Sequence, residues 1–136
     1  MIDLKMSNKG KYRQVLKFIF SFLILAFLTS CQREGLGGNN TIVVSPVYKT
    51  RPIKGATVYV RYGATDFPGS APTDYDTNAH ADSSSSTVKI TGLRKGDYFI
   101  FVSAYDSVNA SVVQGGAHVH LASKSGETPV EVQVSQ

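Results

Sequence analysis

The chain has 136 residues, of which 14 are basic and 10 are acidic, and its one cysteine is Cys31. A single cysteine excludes an intramolecular disulfide framework. Five of the basic residues and one of the acidic residues lie in residues 1–30, which leaves nine of each sign in residues 31–136, so the basicity of the whole chain does not indicate nucleic-acid binding.

Residues 1–30 have the parts of an export signal in the expected order. Basic residues from Lys5 to Lys17 precede an uncharged, mostly apolar run of 11 residues, 18–28, and small residues follow it. A helix that spans a bilayer needs about 20 apolar residues, so this run is too short for a permanent membrane span. We predict that residues 1–30 are a signal peptide that is removed.

The end of this segment, Leu28-Thr29-Ser30-Cys31, resembles the lipobox of bacterial lipoproteins. The resemblance implies cleavage before Cys31, which becomes the N-terminus and carries acyl chains such as palmitate. One acyl chain anchors a protein only weakly, so the several chains of lipoproteins would make the attachment durable. A plain secretory signal followed by an unrelated cysteine is the simpler alternative.

Residues 32–40 contain three glycines and no periodic apolar residues. Such a composition is typical of a flexible linker. We therefore predict a lipidated tether at 31–40 and one domain at 41–136, a length that suits a single core.

The domain consists of short β-branched and aromatic runs separated by Gly, Pro, Asn and Asp, which indicates an all-β fold. Pro46 predicts an edge strand or a bulge in the first run, because proline has no N–H. The run 97–105 is apolar on both faces and should be central, and a turn at 92–96 precedes it. The predicted strands are 41–48, 56–62, 87–91, 97–105, 117–121 and 130–134, with a further edge at 107–113. Gly115-Gly116 is interpreted as a turn before 117–121.

Alternation within these runs predicts which side chains enter the core. The expected inward residues include Val58, Val60, Val88, Ile90, Val130, Val132 and Val134. About seven short strands in this length fit a β-sandwich. The segment 66–86 is interpreted as a long surface connection that contains at most a short irregular strand.

Two segments resemble the transthyretin-like (prealbumin-like) sandwich of carboxypeptidase regulatory-like domains. They are residues 53–60 and 88–102, and the most specific part is Gly92-Leu93-x-x-Gly96-x-Tyr98. The family implies a fold and supplies no catalytic residues. Together with the lipobox, the domain resembles small lipoproteins of Bacteroidota, which implies attachment to the outer membrane. The side of the membrane is not assigned, because residues 32–34 contain one acid, Glu34.

His118-Val119-His120 is the strongest chemical signal, because alternate residues of a strand point to the same side and both imidazoles can reach one metal ion. A stable site needs more ligands, for which His80, Asp82 or Asp106 would have to converge. We favour the simpler interpretation, in which Ala117 and Val119 face the core and the histidines are solvated.

The same pair resembles the His-x-His of intradiol ring-cleaving dioxygenases, in which tyrosines complete an iron site. The tyrosines available here are Tyr59, Tyr62, Tyr75, Tyr98 and Tyr105. The Arg-Pro that flanks the motif in that family is missing, so the match lacks its context.

Asp74-x-Asp76-x-Asn78 has the opening spacing of a calcium loop, but Ala79 and Ser85 replace the glycine and glutamate of an EF-hand. A looser calcium site in the 66–82 loop stays an alternative to a solvated acidic turn. Phe67 and Tyr75 in this loop are expected to cover the end of the sandwich, with stacking on a sugar or peptide as the alternative.

These observations predict a non-enzymatic lipoprotein without a cofactor, anchored by lipid on Cys31 and acting as an accessory or interaction module of an outer-membrane protein complex. The expected contact surface is a free sheet edge or the 66–86 loop, since open edges accept added strands. The alternatives are a small carbohydrate- or calcium-binding lipoprotein and a metal-dependent enzyme that uses His118 and His120.

Overall fold

The computed structural model describes residues 2–27 and 33–136, which belong to two compact units, Met1–Gln32 and Arg33–Gln136. The first unit contains one helix, α1 (Ile2–Phe27). Among the described residues, no helix combines the length and the apolar character that crossing a membrane requires. Cys31 and the rest of the predicted cleavage segment, 28–31, lie outside the described residues.

The second unit is built from strands. They are β1 (Leu36–Tyr48), β2 (Arg51–Pro52), β3 (Thr57–Tyr62), β4 (Thr77–His80), β5 (Val88–Leu93), β6 (Gly96–Asp106), β7 (Ser111–Leu121) and β8 (Ser125–Val134), with a 3-10 helix at Pro72–Asp74. They form two four-stranded sheets. Sheet I contains β1, β2, β5 and β8, and sheet II contains β4, β3, β6 and β7 in that order.

β1 lies in the middle of sheet I. One edge of β1 pairs antiparallel with β5 and then with β2, and its other edge pairs in parallel with β8 over ten residues. All three pairs in sheet II are antiparallel. The predicted all-β sandwich is therefore confirmed, and the long 66–86 segment adds the strand β4 to it.

Alternate side chains fill the space between the sheets. Six residues predicted to face inward are buried, at 6 % exposure or less: Val58, Val60, Val88, Ile90, Val132 and Val134. Val130 is partly buried against the same core. Each fully buried aliphatic side chain contributes roughly 1.5–3 kcal/mol relative to an exposed one.

β6 is central in sheet II and is covered on both faces, as the sequence predicts. Tyr98, Ile100 and Val102 enter the core between the sheets. Phe99 and Phe101 point to the outer face of sheet II, where they are 8 % and 4 % exposed. A second, smaller apolar cluster therefore lies outside the sandwich core.

Pro46 does not mark an edge strand, because β1 has partners on both sides. The Pro46 carbonyl accepts a hydrogen bond from the Ile53 N–H at 3.0 Å. The N–H and C=O of one residue project to the same edge of a strand. The edge of Pro46 that lacks an N–H is therefore the one that faces β5 and β2, at a position between the last β5 pair, Val44, and the first β2 pair, Val47. The opposite edge of β1 keeps its complete parallel ladder with β8.

The ordered domain begins earlier than residue 41. β1 starts at Leu36, and Gly35 is held by two long-range hydrogen bonds, from its N–H to Tyr98 Oη (2.9 Å) and from the Arg94 N–H to its carbonyl (2.8 Å). A Cβ at Gly38 would overlap the Leu93 carbonyl group. The glycines of 35–38 thus permit close strand contact where the sequence predicts a flexible tether.

The last two strands are longer than the predicted 117–121 and 130–134. Gly115 and Gly116, which the sequence indicates as a turn, lie inside β7. Gly115 packs against the backbone of Gln133 at the junction of the two sheets, and the Phe99 ring lies over Gly116. Both glycines make room for neighbouring groups, so the chain continues straight through them.

Candidate functional site

The two histidines of the His-x-His motif lie side by side on the outer face of sheet II. Asp97 on β6 is the cross-strand partner of His120. Its Oδ1 atom lies 2.8 Å from His118 Nε2 and 2.9 Å from His120 Nδ1. A carboxylate oxygen only accepts hydrogen bonds, so each ring nitrogen donates. The two imidazoles therefore share one acceptor.

The charge of Asp97 is stabilised by this arrangement. The hydrogen bonds from His120 and then from His118 lower the pKa of Asp97 below its ordinary value, against a smaller opposing effect of burial. The side chains of Asp97, His118 and His120 are 34 %, 39 % and 58 % exposed. Solvent screening at such exposure limits the contribution of the cluster to stability.

The further metal ligands suggested by the sequence do not converge on the histidines. His80 Nδ1 lies 2.8 Å from Thr57 Oγ1, and the Asp106 carboxylate binds Arg51. Within residues 2–27 and 33–136, no group of three or more His, Cys, Asp or Glu side chains is arranged to hold a metal ion. The acidic neighbour of the histidines is Asp97, which the sequence did not single out.

The tyrosines considered for an iron site have other contacts. The Tyr98 hydroxyl is buried and donates to the Arg94 carbonyl at 2.6 Å, and the Tyr75 hydroxyl donates to the Gly69 carbonyl at 2.6 Å. Burial raises the pKa of Tyr75 to about 12, which disfavours the phenolate that a metal would bind. Tyr59 belongs to the outer aromatic cluster, and Tyr105 is exposed.

The acidic residues of the Asp-x-Asp-x-Asn motif stabilise the loop itself. Asp74 Oδ2 accepts a hydrogen bond from the Ala71 N–H at 3.2 Å, and Asp76 Oδ2 accepts one from the Tyr62 N–H at 2.7 Å. Asn78 lies in β4, opposite Tyr59. Asp74 and Asp76 therefore accept backbone hydrogen bonds, Asp74 within a turn and Asp76 at the end of β3.

Phe67 and Tyr75 cover the outer face of sheet II and not the end of the sandwich. Tyr75 stacks on Phe101 with ring centroids 5.7 Å apart, and Phe67 meets Phe99 edge-on at 6.0 Å. Aromatic pairs in such arrangements contribute about 0.5–1.5 kcal/mol beyond the area that they bury. The aromatic residues therefore fix the 66–76 part of the loop on the sheet, although Phe67 itself stays 56 % exposed.

Asp106, at the end of β6, is a buried acid with a full set of partners. Its carboxylate accepts bonds from both terminal nitrogens of Arg51, at 3.0 and 2.6 Å, and further bonds from the Val108 N–H and the Asn109 amide. Arg51, Asp106 and Val108 border a groove of about 560 Å³ that also includes Lys54. The Arg51 hydrogen bonds are the main cause that lowers the pKa of Asp106 to about 2.

The ion pair between Arg51 and Asp106 predicts that the stability of the domain depends on pH. Because the folded-state pKa of Asp106 is about 2 and lies below the ordinary value of 3.8, the stabilisation is complete above about pH 4 and is lost as the pH falls towards 2. Urea unfolding between pH 2 and pH 6 measures this loss. In an Arg51→Gln variant we expect a flatter pH dependence and an Asp106 titration, followed by carboxyl NMR, that moves towards 3.8. An unchanged Asp106 midpoint in that variant would contradict the assignment.

β7 presents an unpaired edge next to the histidine cluster. The Gly63 N–H donates to the Asp97 carbonyl, so the backbone N–H and C=O groups of Asp97 and of every second residue after it in β6 point to β3. The backbone groups of the residues between them point to β7. In the ladder between β6 and β7, the backbone groups of Gly116, His118 and His120 therefore point away from β6. Gln114 has the same orientation and bonds to Ser135.

Residues 116, 118 and 120 are called the free β7 edge below. Within residues 33–136, β7 pairs with β6 and, through the Gln114 bridge, with Ser135.

Comparison of the chain with protein-family models, with curated proteins and with solved structures finds no match.

Proposed function

We propose that the mature chain is a non-enzymatic lipoprotein of the cell envelope, attached to the outer membrane by acyl chains on Cys31, and that its sandwich binds an extended segment of a partner protein. The free β7 edge is the observation that carries the binding role. The lipobox-like sequence 28–31 and the signal-like residues before it support the anchor.

The free β7 edge has the chemistry that strand addition requires. Gly116, His118 and His120 each direct one N–H and one C=O away from β6. An added strand pairs with such groups through main-chain hydrogen bonds, and its alternate side chains give specificity. Here one face of the added strand would lie beside Ala117 and Val119 and the other beside the two histidines. We therefore expect a partner segment with alternating apolar and polar residues.

The outer edge of β8 shows, by contrast, the features that prevent strand addition. The outer edge of β8 is the one that does not pair with β1. The Ser135 N–H and carbonyl bond to Gln114 of β7 on that side, so the backbone groups of Pro129 and of the other odd-numbered residues of β8 also point to the outer edge. Pro129 has no N–H to offer there, and Glu127 and Glu131 add charge to the same strand. Proline and charged residues are the usual means of protecting an edge. Between Gly116 and His120, β7 contains neither proline nor a permanently charged residue.

We also propose that the domain is related to the transthyretin-like sandwich. Gly92 and Gly96 have positive φ angles of 73° and 139°, and Tyr98 is fully buried at the start of β6. Positive φ is the conformation that favours glycine over other residues. The motif residues thus act as turn and core residues, in agreement with a structural role.

The proposal is tested by co-purification from native membranes with three forms of the full-length protein. We expect the wild type and His118→Ala to retain the same membrane protein at equal yield, and His118→Pro to lose it. Proline at 118 removes the N–H that points to the free edge, but it removes no hydrogen bond between β6 and β7. Sheets tolerate proline at such edge positions. A thermal melt of each variant verifies folding. Retention of the partner by folded His118→Pro, or no partner with the wild type, would overturn the binding role.

A further inference from the structure

The position of Gly35 has a consequence for a lipid-anchored form of this protein. Gly35 is fixed to the sandwich by Tyr98 Oη and by the Arg94 N–H. Four peptide units separate Cys31 from Gly35, and fully extended they span about 14 Å. Acyl chains on Cys31 would therefore hold the Gly35 end of the sandwich close to the bilayer surface.

This end of the domain, called the tethered end, consists of residues 33–36, 94–96 and 122–124. The pairings place these segments together, because Leu93 is aligned with Leu36 and Asn40 across β1 and β5, and Ser125 is aligned with Asn39 across β1 and β8. The buried Asn40 side chain donates to the Ser123 carbonyl at 2.8 Å. The three segments thus form one surface held by the ends of β1.

The tethered end is predominantly basic. It contains Arg33, Arg94, Lys95 and Lys124, against the single acid Glu34. Arg33, Lys95 and Lys124 are exposed. Asp97, which directly follows residue 96, accepts hydrogen bonds from both histidines, and Glu127 in β8 pairs with Lys89. Basic residues near a bilayer are attracted by anionic lipids over a distance of about one Debye length.

We infer that the tethered end docks on anionic lipid headgroups, an inference that rests on the proposed acylation of Cys31. In this orientation the groove at Arg51 and Asp106 faces away from the membrane. β7 runs from that far end, at Ser111, towards the tethered end, at Leu121. The free β7 edge lies in the half of β7 nearer the bilayer.

The chain contains no tryptophan, so single tryptophans can report the orientation. Ala122→Trp places one at the tethered end, and Ser107→Trp, the matched control, places one in the exposed turn that follows β6. Each variant is produced from the full-length sequence, and its mature, lipidated form is reconstituted in phosphatidylcholine vesicles with or without phosphatidylglycerol. Lipids that carry a quencher in the headgroup then measure proximity. We expect strong quenching of the tryptophan at 122 in anionic vesicles and little quenching at 107.

The outcomes separate the docking from the anchor. Absence of acyl mass on Cys31 contradicts the proposed lipoprotein. Acyl mass with equal quenching at the two positions contradicts the docking alone. The pair of substitutions Lys95→Gln and Lys124→Gln, added to Ala122→Trp, should reduce the quenching in anionic vesicles to the value in neutral ones. If quenching is the same in both vesicle types and is unchanged by these substitutions, the tether alone sets the orientation and the headgroup contact is refuted.

Discussion

Gly115→Ala is expected to destabilise the domain by about 3 kcal/mol, at the upper end of overpacking effects. A Cβ at this position would overlap the carbonyl oxygen of Gln133 and would lie 3.0 Å from its carbonyl carbon and 3.1 Å from Val134 Cα. All three atoms belong to backbone, so a change of side-chain rotamer cannot relieve the overlap. β7 and β8 would have to separate at the point where the two sheets meet.

Urea unfolding followed by far-ultraviolet circular dichroism measures this effect. Gln114→Ala is the matched control, because Gln114 is exposed on the same strand and its side chain donates one long hydrogen bond within residues 33–136, to Ser103 Oγ at 3.5 Å. We expect the control to change the free energy of unfolding by less than about 0.5 kcal/mol. If Gly115→Ala is as stable as the control, the close approach of β7 and β8 is wrong.

The alternation of apolar residues was sufficient to predict the sandwich and its core. Runs such as Val58-Tyr59-Val60 have a period of two, and burial of one face follows directly from that period. The central position of β6 followed from apolar residues on both of its faces. These predictions hold because hydrophobic burial depends on the local sequence of each strand.

The glycine-rich segments were interpreted less successfully, because a glycine inside a strand and a glycine in a turn have the same local sequence signal. Gly38, Gly115 and Gly116 allow close contact with strands or rings that are distant in sequence. Gly35 is ordered by Tyr98, which is 63 residues away. Such contacts depend on strand register, which the sequence of one segment does not contain.

The histidine cluster illustrates the same limit. The alternation within 117–121 correctly predicts that His118 and His120 are neighbours on one face, but it contains no signal for Asp97. If the run 97–105 and the strand that ends at Leu121 are paired as a hairpin, Asp97 lies opposite His120. That alignment required the full length of β7, which the interpretation of Gly115 and Gly116 as a turn had shortened.

Cys31→Ala is expected to abolish acylation of the protein completely. The cysteine sulfur is the only thiol in the chain, and alanine offers no nucleophile for a thioether or thioester bond. Cells fed with an alkyne-bearing palmitate should label the wild type strongly and the variant not at all. Intact mass spectrometry of the purified proteins gives the corresponding result, a mass increase from acyl chains that is present in the wild type and missing in the variant.

Ser30→Ala is the matched control, because it keeps a small residue before Cys31 and leaves the sulfur in place, so it should label like the wild type. Loss of the acyl chains also removes the anchor, since each buried methylene contributes about 0.8 kcal/mol to membrane binding. The apolar run of 11 residues does not replace the anchor as a stable span if it is retained. An unlabelled wild type cut between Ser30 and Cys31 would establish a plain secretory signal instead, and would remove the physical basis for docking of the tethered end on the membrane.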